Sequence, residues 1–509
     1  MELRDQYRHH LAGAVNPKPA DARAWVVPAA IVAALTVFRF WASAHVPLAP
    51  DETYYWLWSR APAAGYYDHP PMVAWWIWAS TSLFGDGPFG VRALSVAAAA
   101  ITSYAIYATA RNLGFGTATS ARGALWLNAT ILIGAGAILI TPDSPSVLFW
   151  ALAVWVIADI RRTGDGWLWL LAGFFAGLGL LSKYTNLFLG VGIVLWLVLE
   201  RDARRWFLSP WLWVGGLVAI VTFLPVLLWN AAHDWISFEK QFGRIAAETL
   251  QPGYVLEFVA SQFGLLNPPI AIFAAIGLCL GARALLRRRN AQDGAMLFLA
   301  TLCVPLILYM LSHALHARVQ GNWLAPVFPA LALLGAAAAL GCTSRAMRGL
   351  AALATPVGIG VSVLVLFYFM APGPTPFGQR TPAERFVGWS GLAAKVGDLM
   401  TETGATWVAT GEYALTGQLA YHGLGPERVQ QVDQRERYLF DPVEDAVAEG
   451  PALLVLASER SRLAKYRRCF ESLEPVGEIE RIGPDGPVAA YRVWLAAGAR
   501  SDILSRGCR

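Results

Sequence analysis

The chain has 509 residues, of which 56% belong to the set AVILMFWYC and 15% are charged, with a net charge of +5. That apolar share exceeds the roughly 45–50% typical of soluble globular proteins. The 22 Trp, 24 Phe and 16 Tyr also exclude a disordered chain. Residues 1–371 hold 41 of the 75 charged residues and residues 372–509 hold the other 34, so the first part is excluded as an ordinary soluble domain while the second has soluble composition.

A bilayer core about 30 Å thick needs about 20 apolar residues of helix. In chain order the stretches nearly free of charge are 24–50 (broken only by Arg39), 69–85, 93–110, 123–142, 144–158, 167–182, 184–199, 206–233, 258–282, 294–317, 319–344 and 349–379. The first lacks a following small-residue cleavage site and reads as a span rather than a removable signal. Loop charge selects which stretches cross, because Lys and Arg accumulate in short cytoplasmic loops. If 69–85 stays at the interface and the other eleven cross, one set of loops carries seventeen basic residues, from Arg4, Arg8 and Lys18 through Arg287–Arg289 to Arg348. The opposite set carries five, Arg60, Lys183, Lys240, Arg244 and Arg318, among acids that include Asp51, Asp68, Asp143 and Glu248. Counting 69–85 as a span destroys this bias, and its Trp75, Trp76 and Trp78 suit the headgroup boundary.

The expected fold is therefore a polytopic α-helical membrane protein with about eleven transmembrane helices (11–13), an interfacial helix in the first outer loop and a cytoplasmic N-terminus. Residues 1–371 form the membrane domain, and residues 372–509 form a small C-terminal α/β domain outside the cytoplasm. Ala371-Pro372-Gly373-Pro374-Thr375-Pro376 is a stiff, non-helical join. Beyond it, 391–403 predicts a helix, and Thr406–Thr410, Ala452–Leu456 and Val488–Leu495 predict strands. Cys279, Cys303 and Cys342 fall in apolar runs without metal spacing, whereas Cys469 and Cys508 fall in the tail, where an oxidising compartment would allow them to pair.

Polar groups gather on the outer side, and at membrane depth such groups are costly unless they have a use. The loop after the first span contains Asp51-Glu52, the aromatic residues Tyr54 and Tyr55, then Tyr66-Tyr67-Asp68-His69-Pro70-Pro71. Two adjacent acids before stacking rings suit a general base beside a sugar platform, and they equally suit a helix N-cap. Asp143 in Thr141-Pro142-Asp143-Ser144-Pro145 is a candidate cap. Lys183, flanked by Ser182 and Tyr184, is either a snorkelling cation or a phosphate contact. His313, His316 and Arg318, followed by Gln320, Asn322 and Trp323, form a second rim that suits either solvent or an anion. The tail motifs Thr410-Gly411-Glu412-Tyr413 and Tyr421-His422 read as fold-completing rather than substrate-contacting.

At Asp51-Glu52, Tyr66–Pro71, Thr141–Pro145, Ser182-Lys183-Tyr184 and Asn322-Trp323-Leu324-Ala325-Pro326 the chain resembles the bacterial branch of the protein O-mannosyltransferase and aminoarabinose-transferase superfamily, membrane glycosyltransferases of the GT-C fold. The resemblance covers most of 40–330. It implies transfer of one sugar from a polyprenyl-phosphate donor to an acceptor hydroxyl on the periplasmic face of the bacterial inner membrane, with inversion. The acceptor it implies is lipopolysaccharide, lipid A or another envelope glycolipid, glycan or protein. It makes Asp51 the catalytic base with Glu52 beside it. Where the aminoarabinose-transferase subgroup carries an Arg and a Lys, this chain has Tyr54 and His69, so Lys183, His69 and Arg318 are the expected donor-phosphate contacts. Tyr54, Tyr55, Tyr67, Asp68, Asp143, Tyr184 and Asn322 are the expected substrate contacts. No cofactor, metal or nucleic acid is expected, since the phosphate is already a leaving group. The rival class is a transporter or lipid flippase, which would favour mid-membrane charges and internal repeats, and the sequence shows neither.

Overall fold

The computed structural model describes residues 23–243, 250–286, 290–373, 381–441, 445–460 and 463–508. Arg4, Arg8, Lys18, Arg244, Glu248, Arg287–Arg289 and the linker residues Pro374–Pro376 lie outside them. Among the described residues, eight helices are long and apolar enough to cross a membrane: Val26–His45, Pro88–Asn112, Asp143–Thr163, Pro210–Ala232, Pro268–Leu286, Ala291–Ala314, Gly321–Leu340 and Arg345–Met370. A bent pair, Thr117–Asn128 and Ile131–Ile138, would make nine, and Leu168–Ser182 and Tyr184–Leu199 are shorter apolar helices. By length and composition the count is thus eight or nine, against the eleven expected. Met72–Phe84 has only 13 residues, about 20 Å of helix, less than a bilayer core.

Two stretches expected to be single spans are broken, and each break is held by partners distant in sequence. Within 123–142 the helix stops at Asn128, and the two halves bend by 70°. Thr130 restarts the chain by accepting from the Ile133 N–H at 3.3 Å. The buried Arg39 guanidinium holds the freed Gly134 carbonyl (3.0 Å) and the Asn128 Oδ1 (2.7 Å). Within 258–282 the chain breaks at Asn267, which takes a left-handed φ of 74°. Pro268 disfavours helical geometry in the residue before it, and the Asn267 amide donates to the carbonyls of Ala129 and Ala354. Helices elsewhere approach closely through small residues. A Cβ on Gly173 would lie 1.9 Å from the Gly215 carbonyl oxygen, so Leu168–Ser182 and Pro210–Ala232 meet backbone to backbone.

The tail is α/β. Its strands are β1 (Trp407–Thr410), β2 (Val429–Gln431), β3 (Ala452–Ala457), β4 (Phe470–Gly483) and β5 (Gly486–Ala499), in sheet order β2-β1-β3-β5-β4. β1 runs parallel to β2 and β3, and β5 runs antiparallel to β3 and β4. β1 is wholly buried and β3 nearly so, as central strands covered on both faces are. The expected helix is Trp389–Thr403. β2 and β4 escape the sequence reading: β2 has three residues, and β4 reads as charged, Glu-rich chain. Cys469 and Cys508 form a disulfide with Cα atoms 5.7 Å apart.

The tail does not stand apart from the membrane body. One apolar cluster joins Leu48, Tyr54, Leu57 and Trp58 of the first outer loop to Leu392, Val396, Leu415 and Leu419 of the tail. The helix Tyr413–Leu419 lies on the helix Pro50–Arg60, and a Cβ at Gly417 would come within 2.8 Å of Thr53 Oγ1 and 2.9 Å of the Tyr54 nitrogen.

Candidate active site

The site starts where the first long helix ends. Val46–Ala49 is not helical, Pro50 opens the helix Pro50–Arg60, and its first turn holds Asp51 and Glu52, where the helix dipole favours anions. The two acids part company at once. Glu52 is fully buried, and its Oε2 accepts from the Ala49 N–H (2.8 Å) and Arg92 Nη2 (2.6 Å). Its Oε1 accepts from Arg92 Nε (2.7 Å) and the Ile140 N–H (3.0 Å). Arg92 spends its other donors on the carbonyls of Ser43, Val46 and Pro47. A buried pair is tolerable only when its remaining hydrogen-bonding groups are satisfied, as these are. Glu52 therefore does not line the cavity. It ties together the end of the first span, the new helix and the bent span, and so fixes the turn that carries Asp51.

Asp51 is exposed, and its Oδ1 accepts from the Tyr413 hydroxyl at 2.9 Å. It lines a cavity of about 470 Å³ that Tyr309, His313 and Trp323 also line. Asp143 is in the first turn of its helix but makes no cap bond. Its Oδ1 meets Lys183 Nζ at 2.6 Å and its Oδ2 accepts from Asn322 Nδ2 at 2.6 Å. Lys183 is buried, so it does not snorkel, and an ammonium has three donors, of which Asp143 takes one.

Asp68 lies at the junction with the tail. It accepts from Tyr54 Oη (2.8 Å), pairs with Lys240 (3.0 Å) and forms an ion pair with Arg437. Burial raises the Asp68 pKa, but the Arg437 guanidinium and the Lys240 ammonium outweigh that and hold it below the usual carboxylate value. His69 is pushed down to about 4, first by burial and then by the positive charge of Lys183. It therefore offers a neutral imidazole at pH 7.

Nine of the twelve candidates line this cavity: Asp51, Tyr54, Tyr55, Asp68, His69 and Asp143 with Lys183, Tyr184 and Asn322. Three do not. Glu52 is locked to Arg92. Tyr67 lies beside the cavity with the Lys240 ammonium 4.0 Å from its ring centre. Arg318 is largely exposed and pairs with Glu257 (2.7 Å). The expected rim is thus split, with His313, Gln320 and Trp323 inside and Arg318 outside. The sequence reading also missed three residues from the tail, Arg385, Tyr413 and Arg437. From its sequence context Tyr413 reads as fold-completing, yet it touches Asp51 across 362 positions of sequence. Tyr421 likewise donates to the Asp86 carbonyl at 2.9 Å. Among the described residues Arg385 has no carboxylate partner, and no three His, Cys, Asp or Glu side chains gather as a metal site.

The family profile described as dolichyl-phosphate-mannose-protein mannosyltransferase matches residues 68–229. A lipid A galacturonosyltransferase, RgtD, of Rhizobium johnstonii is 28% identical over 292 residues, 56% of this chain and 59% of that protein. An undecaprenyl phosphate-alpha-4-amino-4-deoxy-L-arabinose arabinosyl transferase of Pseudomonas aeruginosa is 31% identical over 214 residues, 37% of each chain. The matches therefore span well under two thirds of these relatives. Among solved structures, ArnT from Cupriavidus metallidurans bound to undecaprenyl phosphate superposes with a TM-score of 0.67 at 15% identity, covering 94% of this chain and all of that one. An Archaeoglobus fulgidus oligosaccharyltransferase gives 0.54 at 11% identity, covering 86% and 69%. At such identities the agreement establishes the fold.

Proposed function

We propose that this chain, a multi-pass membrane protein whose profile match, relatives and fold support the GT-C superfamily of polyprenyl-phosphate-sugar-dependent glycosyltransferases, moves a single sugar from such a donor to an acceptor hydroxyl. The observation that carries this reading is the Asp51 carboxylate, presented at a cavity that also holds the buried Asp143–Lys183 pair and His69. Asp51 takes the proton of the acceptor hydroxyl as its oxygen attacks the anomeric carbon. The bond from that carbon to the phosphate oxygen breaks, its electron pair leaves with the polyprenyl phosphate, and the anomeric centre inverts. Lys183 receives the phosphate with its two remaining donors, His69 adds a neutral hydrogen bond, and Arg385 adds a charge that no carboxylate among the described residues holds. Tyr54, Tyr55 and Tyr184 line the cavity and give it an aromatic wall for the sugar. No cofactor enters the proposal.

The lipid A named for the galacturonosyltransferase relative and the tail residues that line the site support an envelope glycolipid such as lipid A, reached on the periplasmic face of the inner membrane. On this reading the N-terminus is cytoplasmic, 1–371 is the catalytic membrane domain and 372–509 is periplasmic. The disulfide supports that side.

The test is transfer in detergent. Purified protein should consume a polyprenyl-phosphate sugar without any ion gradient, and Asp51→Asn should lower turnover by about 10²–10⁴-fold, the usual contribution of a general base, with its melting temperature unchanged. Gradient-dependent movement of lipid with no consumption of donor would favour a transporter instead. Mass spectrometry of envelope glycolipids from a deletion strain would identify the sugar and the acceptor from the missing mass.

A further inference from the structure

We propose that Tyr413, supplied by the tail, is a positioning residue for Asp51, so that the membrane helices alone carry an incomplete site. This rests on the reading of Asp51 as the proton acceptor. The phenol donates to Oδ1 at 2.9 Å, and Oδ2 has no hydrogen bond among the described residues. One oxygen is held while the other is left for the acceptor's proton.

The tyrosine is itself held from several sides. Its ring centre lies 4.8 Å from that of Tyr54, one turn along from Asp51, and the Arg437 guanidinium sits 5.0 Å from it. Arg437 in turn pairs with Asp68, which accepts from the hydroxyl of the same Tyr54. Gly417, one turn beyond Tyr413, lets the backbone of its helix press on Thr53 and Tyr54. Burial and the neighbouring Asp51 carboxylate both push the Tyr413 pKa up, so the hydroxyl remains a donor throughout the physiological range. An exposed carboxylate left alone would sample several rotamers, and loss of near-attack geometry is worth up to about 10²-fold in rate.

Tyr413→Phe keeps the ring and removes only the donor. It should lower kcat by about 10-fold or more, within the range expected for lost positioning, while the KM values for donor and acceptor and the melting temperature stay within about twofold and a degree or two. Placed on Asp51→Asn, the same change should cause no further loss, because its effect passes through the carboxylate. Tyr413→Phe with native kcat overturns the proposal, and so does a change confined to KM. If Asp51→Asn itself keeps the native rate, the reading of the base fails. If Asp51→Asn is dead and Tyr413→Phe is unimpaired, only the positioning role fails.

Discussion

His69 shows how much a neighbour changes what a side chain can do. A histidine lining a cavity with the carboxylates of Asp68 and Asp143 suggests a cation, but burial and Lys183 keep this imidazole neutral until about pH 4. The unfolded chain takes up the proton near pH 6.5. Between those values the unfolded state binds more protons, so His69 makes the folded state less stable as pH falls from about 6.5 to about 4, by at most about 1.4 kcal/mol per unit. Asp68, whose folded value is depressed, adds a loss in the same direction at lower pH still. Thermal melting in detergent across this window should therefore decline on acidification, and His69→Asn should flatten the decline above pH 4. An equal slope in the variant would remove His69 as the cause. The same dependence on neighbours explains the acidic pair. Asp51-Glu52 is legible as two acids at a helix start, but which one caps and which one faces the cavity depends on Arg92, forty positions away, and Tyr413, farther still.

At the scale of elements, the contact between Tyr413–Leu419 and Pro50–Arg60 is the joint on which the site turns. Gly417→Val puts methyl groups where Thr53 Oγ1 and the Tyr54 nitrogen already lie within 3 Å of a Cβ. Overpacking of that kind costs about 1–3 kcal/mol, and here the strain is relieved by separating the two helices. Limited proteolysis should then release the tail faster and transfer activity should fall, while the tail keeps its own sheet. A variant with native proteolysis and native turnover would show that the joint does not matter. Apolar runs locate most helices from sequence because a bilayer requires them. They do not reveal where a helix bends, since the breaks after Asn128 and at Asn267 are satisfied by distant partners, Arg39 among them. The short strand β2 and the charged strand β4 escape for the opposite reason: neither buries enough apolar surface to leave a period.

Over the whole molecule, the uneven distribution of charge was the most legible feature, because solvation by lipid or by water acts on every residue alike. The pairing of Cys469 with Cys508 lies wholly on the soluble side of that division. It should be visible as three alkylated cysteines out of five when the denatured protein is labelled without reductant, with Cys279, Cys303 and Cys342 the reactive ones. Five labelled cysteines would contradict it. Closing a loop of 39 residues is worth about 3–4 kcal/mol, so replacing both cysteines by Ala should lower the melting temperature of the tail. What the sequence concealed is that the two compositions meet in one cavity, since nothing in a single chain links residue 51 to residue 413.

The meeting of Tyr413 with Asp51 also bears on biosynthesis. The carboxylate is translated with the first helices, whereas its holder follows 362 positions later. On the proposed reading, a chain made only as far as the membrane helices carries the Asp51 carboxylate without the hydroxyl that holds it, and its site is completed only when the tail seats on the helix Pro50–Arg60.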